Sequence, residues 1–403
     1  MPRIRHITLP QGFRAAGVHC GIKTSRQEDL AIIVADKAAA TALLTTSNQI
    51  IGAPVQWSRN VLPKGYGYTR GIVINSGNAN TCVGAKGLAD AERMARYAAG
   101  AIECSPGELL VASTGIIGNP LPMKNVREGI EAAARRLSRH NDQAVLRAMM
   151  TTDTKEKYAI VQESIGNETI TIAGVIKGAG MIAPSLATMI SVITTDARIA
   201  PRLLYRTFKE IAVDTFNAVT IDSDQSTSDT AVVLASGLKG EKIKFDTRMY
   251  RKFARALREV CLELAVAMAR DGEGATKLIK ITVTSAATKK DAIAAAKSIA
   301  QSPLVKCAVH GNDPNWGRIL MAVGKSSARI VQEKTTVKIG PITLFSRGAA
   351  KRISKEVLEK LEEYMRRDIV EINVNLGLGK EQFVAYTCDL SQKYVVINSK
   401  YHT

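Results

Sequence analysis

The sequence predicts an α/β protein in which large sheets are covered by helices. Short apolar, β-branched runs alternate with stretches whose apolar residues recur every three or four positions. That alternation continues along all 403 residues. The composition is that of a globular chain, 46% hydrophobic with 30 Gly and 12 Pro, long enough for one large layered body or two domains.

Strands are expected at 29–36 (DLAIIVAD), 71–76, 108–113, 169–176, 188–196, 230–236 (TAVVLAS) and 278–286. Helices are expected at 85–103, 121–138, 200–215, 246–270, 287–300 and 350–366. Pro201 falls in the first turn of the third of these, where a missing N–H costs nothing. Near the C-terminus, DIVEINVNLGLG and EQFVAYTCDL read as two strands joined by a Gly-rich turn, which predicts a hairpin. No repeat or low-complexity linker interrupts the pattern.

Composition excludes several function classes. There is no apolar run of about 18 residues, so no membrane span is expected, and MPRIRHITLPQGF lacks the apolar core of a secretory signal. Six cysteines lie far apart with no C-x-x-C, which predicts reduced, mostly buried thiols in a cytoplasmic protein. The net charge of +18 reads as a solvated basic surface. Basic residues come in short pieces, and the 5% of aromatics do not interleave with them, so no nucleic-acid partner is expected.

Three motif matches fail on inspection. GAGMIA (178–183) follows a strand and fits a dinucleotide-binding turn, but Pro184 falls where the phosphate-binding helix should propagate. VGKSS (323–327) lacks the first glycine of a P-loop, since position 319 is Ile319. DSDQSTSD (222–229) begins like a calcium loop, yet Thr227 and Val233 stand where Gly and Glu are needed. With five scattered histidines, no metal site is expected.

Six polar stretches at the ends of expected elements remain: NSGNAN (75–80), STGIIG (113–118), TTDT (151–154), KGAGMIAPSLATM (177–189), DGEGATK (271–277) and GNDPNWGR (311–318). Loops at such positions carry function. In this order they resemble the glutamate N-acetyltransferase (ornithine acetyltransferase) family of arginine biosynthesis, from LPQGFRAAGVHCGIK (9–23) to YVVINSKYHT (394–403). The resemblance implies an αββα layered sandwich of the ornithine acetyltransferase/DmpA-like type. It also implies self-cleavage between Ala187 and Thr188, giving an alpha chain 1–187 and a beta chain 188–403, usually assembled as an α2β2 heterotetramer.

On this resemblance Thr188 is the nucleophile. Its hydroxyl attacks the carbonyl of the small residue Ala187, and water opens the resulting ester. The freed α-amine, with a reference pKa of roughly 7.7–8.0, then serves as base to its own hydroxyl. Gly178, Gly180 and Pro184 are expected to hold the scissile peptide in an unusual conformation. STGIIG offers a hydroxyl and an amide side by side, and by resemblance Thr114 and Gly115 form the oxyanion hole. The resemblance further assigns substrate contacts to Lys177, Glu273, Asn398, Thr403 and Thr151, with Thr152 an open alternative to the last.

The reaction so implied is ping-pong transfer of acetyl from N2-acetylornithine to glutamate through an acetyl-threonine. It uses no cofactor and no metal; some relatives also accept acetyl-CoA as donor. Ser223, Gln225 and Ser228 depart from the VDGDTSTND-like run usual in relatives, which bears on donor preference. Cys307 stands where relatives commonly have threonine and reads as a buried thiol. The rival within the fold is an N-terminal-nucleophile aminopeptidase or amidase, which passes its acyl group to water and lacks the combination of Glu273 with Asn398 and Thr403. A binding protein, the rival outside enzymology, would keep its function on Thr188→Ala.

Overall fold

The computed structural model describes residues 5–183 and 189–400; Pro184, Ala187, Thr188 and Thr403 lie outside them. Strands β1 (Phe13–Val18), β2 (Leu30–Thr45), β3 (Tyr66–Asn78), β4 (Leu109–Ile116), β5 (Tyr158–Ile165), β6 (Glu168–Lys177), β7 (Ile190–Ile199) and β8 (Thr230–Ile243) form one sheet. Its order is β4-β3-β2-β8-β7-β6-β5, with β1 added against β2.

β2 is the pivot. Its first half pairs with β1 and its second half with β8, while β3 runs beside both with a register break between Val34 and Ala39. Breaks of this kind bend a strand, and here the sheet folds back on itself. In a flat sheet β4 and β6 would be five strands apart, about 24 Å at the usual spacing. Instead the Lys177 ammonium at the end of β6 lies 3.2 Å from the Thr114 hydroxyl on β4.

Side chains alternate between faces along each strand, and this sorts the core into layers. Ile33, Ile72 and Leu110 share one cluster with Val175, Val192 and Val232 from the other half. Facing away from it, Ile32, Val73 and Val111 pack with helices Gly84–Ile102 and Met123–Arg135. On the other half Ile172, Ile193 and Val233 pack with helices Pro201–Val213 and Arg248–Arg270. Helix, sheet, sheet, helix is the αββα layering that the family resemblance implies.

A second sheet contains β9 (Leu278–Ala286), β10 (Thr336–Ile339), β11 (Ile342–Ser346), β12 (Ala349–Ala350), β13 (Ile369–Asn375) and β14 (Glu381–Cys388), in the order β12-β11-β10-β13-β9-β14. Helices Lys289–Ala300, Trp316–Gly324 and Lys355–Met365 cover one face. The expected C-terminal hairpin does not form. β9 lies between β13 and β14, parallel to the first and antiparallel to the second. The Gly-rich connection instead caps the end of β9, with Leu376, Leu378 and Gly379 donating their amides to Thr284 and Ser285 carbonyls. β9 presents Ile279, Ile281 and Val283 to the core, so a central place buries more of it than an edge would.

Two smaller expectations are also corrected. Only Cys261 and Cys388 are buried, while Cys82 and Cys307 are exposed. Cys307 sits on helix Pro303–His310, whose Val305 and Val309 take the core-facing positions. The expected helix at 350–366 starts only at Lys355, where Ser354 caps it by accepting the Val357 amide.

Candidate active site

The site gathers around the connection between β6 and β7. Lys177 and Ile190 are the last cross-strand pair, so residues 178–189 leave and re-enter the sheet at one point. Both described ends of that connection are pinned. Gly178 donates its amide to Asp153 at 2.6 Å, and Met181 and Ile182 donate theirs to Asp222 at 2.6 and 2.8 Å. On the far side Met189 donates its amide to Asp229 at 3.0 Å, and its carbonyl accepts the Thr230 amide at 2.9 Å. Met181 holds φ at +58°, a left-handed conformation costly for a side chain of its size. That strain falls on a methionine that the sequence did not single out, while Pro184 and the Ala187–Thr188 peptide, for which an unusual conformation was expected, lie outside the described residues.

Lys177 is 4% exposed. Its ammonium donates to Thr151 Oγ1 at 2.8 Å and Thr114 Oγ1 at 3.2 Å. An ammonium has only donors, so both hydroxyls must accept from it, and each keeps its own proton for another partner. Thr114 can thus donate into the cavity. Beside it Gly115 has φ +129°, and a Cβ there would run into the Gly77 backbone. The register break opposite, between Gly77 and Asn78, lets the end of β4 turn while staying paired. A hydroxyl donor and a backbone amide stand together there, the pair that an oxyanion needs.

The other wall carries a carboxylate. Glu273 is 8% exposed, its backbone amide bonds the Ala179 carbonyl, and Asn398 donates its side-chain amide to Oε2 at 2.7 Å. No cation pairs with it among the described residues. A Cβ on Gly180 would strike this carboxylate, so the glycine lets the loop lie against Glu273. Asn398 comes from the last helix, Gln392–Lys400.

The electrostatics follow from burial. Burial pushes the Lys177 pKa below the ordinary lysine value; Asp153 opposes that shift and Lys157 adds to it. Burial would raise the Asp153 carboxyl, but Lys177, Lys157 and the Gly178 amide outweigh it and hold it down at about 2. Asp229 is raised well above the usual carboxylate range by burial. Lys157, 3% exposed, bridges Asp153 at 2.7 Å and Asp271.

Thr114, Gly115, Thr151, Lys177, Glu273 and Asn398 all line one cavity of about 100 Å³. Cavities for drug-sized ligands run to about 300–1,000 Å³, so this one suits a small polar metabolite. Thr152 lines it too, but Thr151 is the one that bonds Lys177. Sequence reasoning missed Ser226 and Thr227, which line the cavity, while Ser228, noted as a departure, lines it as well. It also missed Asp153, Lys157 and Asp271; TTDT and DGEGATK flagged their neighbourhoods, but nothing local joins them. Among the described residues no cluster of His, Cys, Asp or Glu could hold a metal, and no helix is long and apolar enough to cross a membrane.

Three comparisons with known proteins identify the family. The model of the ArgJ family matches residues 14–403. The arginine biosynthesis bifunctional protein ArgJ of Caldanaerobacter subterraneus subsp. tengcongensis is 41% identical over 406 residues, covering 98% of each chain. Its namesake from Bacillus cereus is 41% identical over 399 residues, covering 98% of this chain and 97% of that one. The crystal structure of arginine biosynthesis bifunctional protein argJ from Bacillus halodurans is 42% identical. It matches 53% of this chain and all of its own with a TM-score of 0.51.

Proposed function

The chain belongs to the ArgJ family, and we propose that this acetyltransferase of arginine biosynthesis works through an acetyl-threonine at Thr188. One observation carries the reading: residues from seven separate segments meet in one cavity between a buried cation and a buried carboxylate, beside the stretch that leads into residues 184–188. Lys177 takes the substrate α-carboxylate. Glu273 takes the side-chain ammonium of N2-acetylornithine. Thr114 and Gly115 stabilise the oxyanion as Thr188 Oγ attacks the acetyl carbonyl.

Ornithine leaves, taking a proton through the Thr188 α-amine. Glutamate binds by the same α-amino-acid head and accepts the acetyl group, regenerating the hydroxyl. The α-amine exists only after the Ala187–Thr188 bond is cut, so maturation precedes turnover. An α2β2 assembly of the fragments 1–187 and 188–403, a cytoplasmic location, closure by Thr403 and the use of acetyl-CoA as a second donor belong to the same proposal.

Denaturing mass spectrometry of the protein beside Thr188→Ala, with an acetyl-transfer assay on both, tests it. Two fragments beginning at Met1 and Thr188, an intact mutant and transfer only in the cut sample are expected. An intact but active wild type would refute the mechanism.

A further inference from the structure

The cavity stands on a buried charged network that its own lining residues do not explain. Asp153 makes three bonds at once: it accepts the Thr151 amide at 3.0 Å, the Gly178 amide at 2.6 Å and the Lys157 ammonium at 2.7 Å. Thr151 is a hydroxyl partner of Lys177, and Gly178 is the next residue after Lys177. One carboxylate therefore fixes both the lysine's backbone and its partner. Lys157 continues to Asp271, which accepts the Thr154 and Lys155 amides and the Thr154 hydroxyl. Asp271 stands two positions before Glu273, in the turn that follows helix Arg248–Arg270.

We propose that Asp153, Lys157 and Asp271 form a positioning strut, which supplies the counter-charge for Lys177 and sets the span between Lys177 and Glu273. Within the strut Lys157 meets two carboxylates, Asp153 and Asp271, so one negative charge is left over to face Lys177. No carboxylate contacts Lys177 directly among the described residues, so its charge depends on this neighbour one step away. That arrangement leaves the ammonium unshielded toward the cavity for an incoming carboxylate. The strut thereby selects amino acids whose α-carboxylate and side-chain end match the fixed span. This rests on the functional reading above, in which Lys177 binds the α-carboxylate.

The groups facing Lys177 are Asp153, Glu273 and Asp229 on the anionic side, with Lys157 and Lys23 on the cationic side. Removing Asp153 takes away the leading favourable one. Asp153→Asn then makes Lys177 lose its proton at lower pH, and the alkaline limb of kcat/KM moves down by about one to two pH units. Lys157→Met does the opposite: it removes a repelling cation and leaves Asp153 to Lys177 and Lys23, so the limb moves up. Lys157→Arg restores the wild-type profile. A merely structural strut would lower activity in both variants without moving the limb in opposite directions.

The deciding experiment records acetyl transfer from N2-acetylornithine to glutamate against pH for the wild type and these variants. Glutamate binding is followed by calorimetry over the same range. Opposed shifts in Asp153→Asn and Lys157→Met establish the strut. If one variant fails to fold, the shift in the other decides by its direction. Limbs that stay put, or move the same way, overturn the proposal. A wild type that binds glutamate with these limbs yet transfers no acetyl would refute the functional reading and leave the strut standing. A wild type that binds no glutamate overturns both.

Discussion

Replacing Thr114 by valine keeps the shape of the side chain and removes its hydroxyl, so it isolates one donor of the oxyanion hole. Because Thr114 Oγ1 already accepts from Lys177 at 3.2 Å, its proton is directed away from the lysine, and the variant loses that directed donor. Losing a single donor of this kind costs about 2.7–4 kcal/mol of barrier. At about 1.36 kcal/mol per decade, that is a fall of roughly 10²–10³ in kcat. Lys177 keeps Thr151 as an acceptor at 2.8 Å, so KM for glutamate should change far less than kcat. The assay is steady-state acetyl transfer from N2-acetylornithine, with the rate of self-cleavage followed by gel on freshly made protein. Thr114→Ser, which restores the hydroxyl, should recover most of both rates. A Thr114→Val enzyme with kcat within about fivefold of wild type would remove this hydroxyl from the reaction, whatever its place in the cavity.

Three further outcomes are expected. Glu273→Gln keeps the hydrogen-bonding shape but removes the charge that faces the cavity; losing one charge-assisted bond of about 1.5–3 kcal/mol should raise KM for N2-acetylornithine roughly 10- to 150-fold. Glutamate, which offers no cation there, should be affected much less, and equal effects on both substrates would contradict the assignment. Ser223 adopts φ +71°, where a side chain is strained and glycine is not. Relieving about 1–2 kcal/mol of strain against about 0.5–1 kcal/mol for glycine's greater chain entropy should leave Ser223→Gly more stable by about 0.5–1 kcal/mol, read as a higher urea midpoint; a lower midpoint would count against the strain. Finally, Asp153 titrates at about 2 when folded, against an ordinary 3.8. Its depressed value means that its contribution is fully present above pH 4 and fades as the pH falls toward 2, a loss of about 2 kcal/mol over that window. Acid unfolding curves of Asp153→Asn should be correspondingly flatter between pH 4 and 2, and parallel curves would refute this.

The elements with strong local signals were legible. β9 spans Leu278–Ala286 as its β-branched run predicts, and helix Pro201–Val213 begins at the proline that the sequence marks as its start. Thr114, Gly115, Thr151, Lys177 and Glu273 stood out because each sits in a polar stretch at the end of an expected element, while their roles, and Asn398 altogether, came from the family resemblance. The pairing of β13 and β14 was not, because a Gly-rich turn between two strands looks the same whether the strands meet or a third slides between them. That choice depends on where β9, some ninety positions earlier, gains most burial.

From the sequence came the alternation that makes helix-covered sheets and the motif set that carries the family resemblance, which in turn implied the site: a threonine after a small residue, a hydroxyl beside a glycine amide, one lysine and one glutamate. Those are local properties of residue type and order. Tertiary structure alone decided that the sheet folds at β2, so that Thr114 and Lys177 meet across the fold, and that Lys157 joins Asp153 to Asp271 beneath them. Distances between segments far apart in the chain come from burying apolar faces and from pairing charges that cannot be left alone in a core. Neither is written in any one stretch.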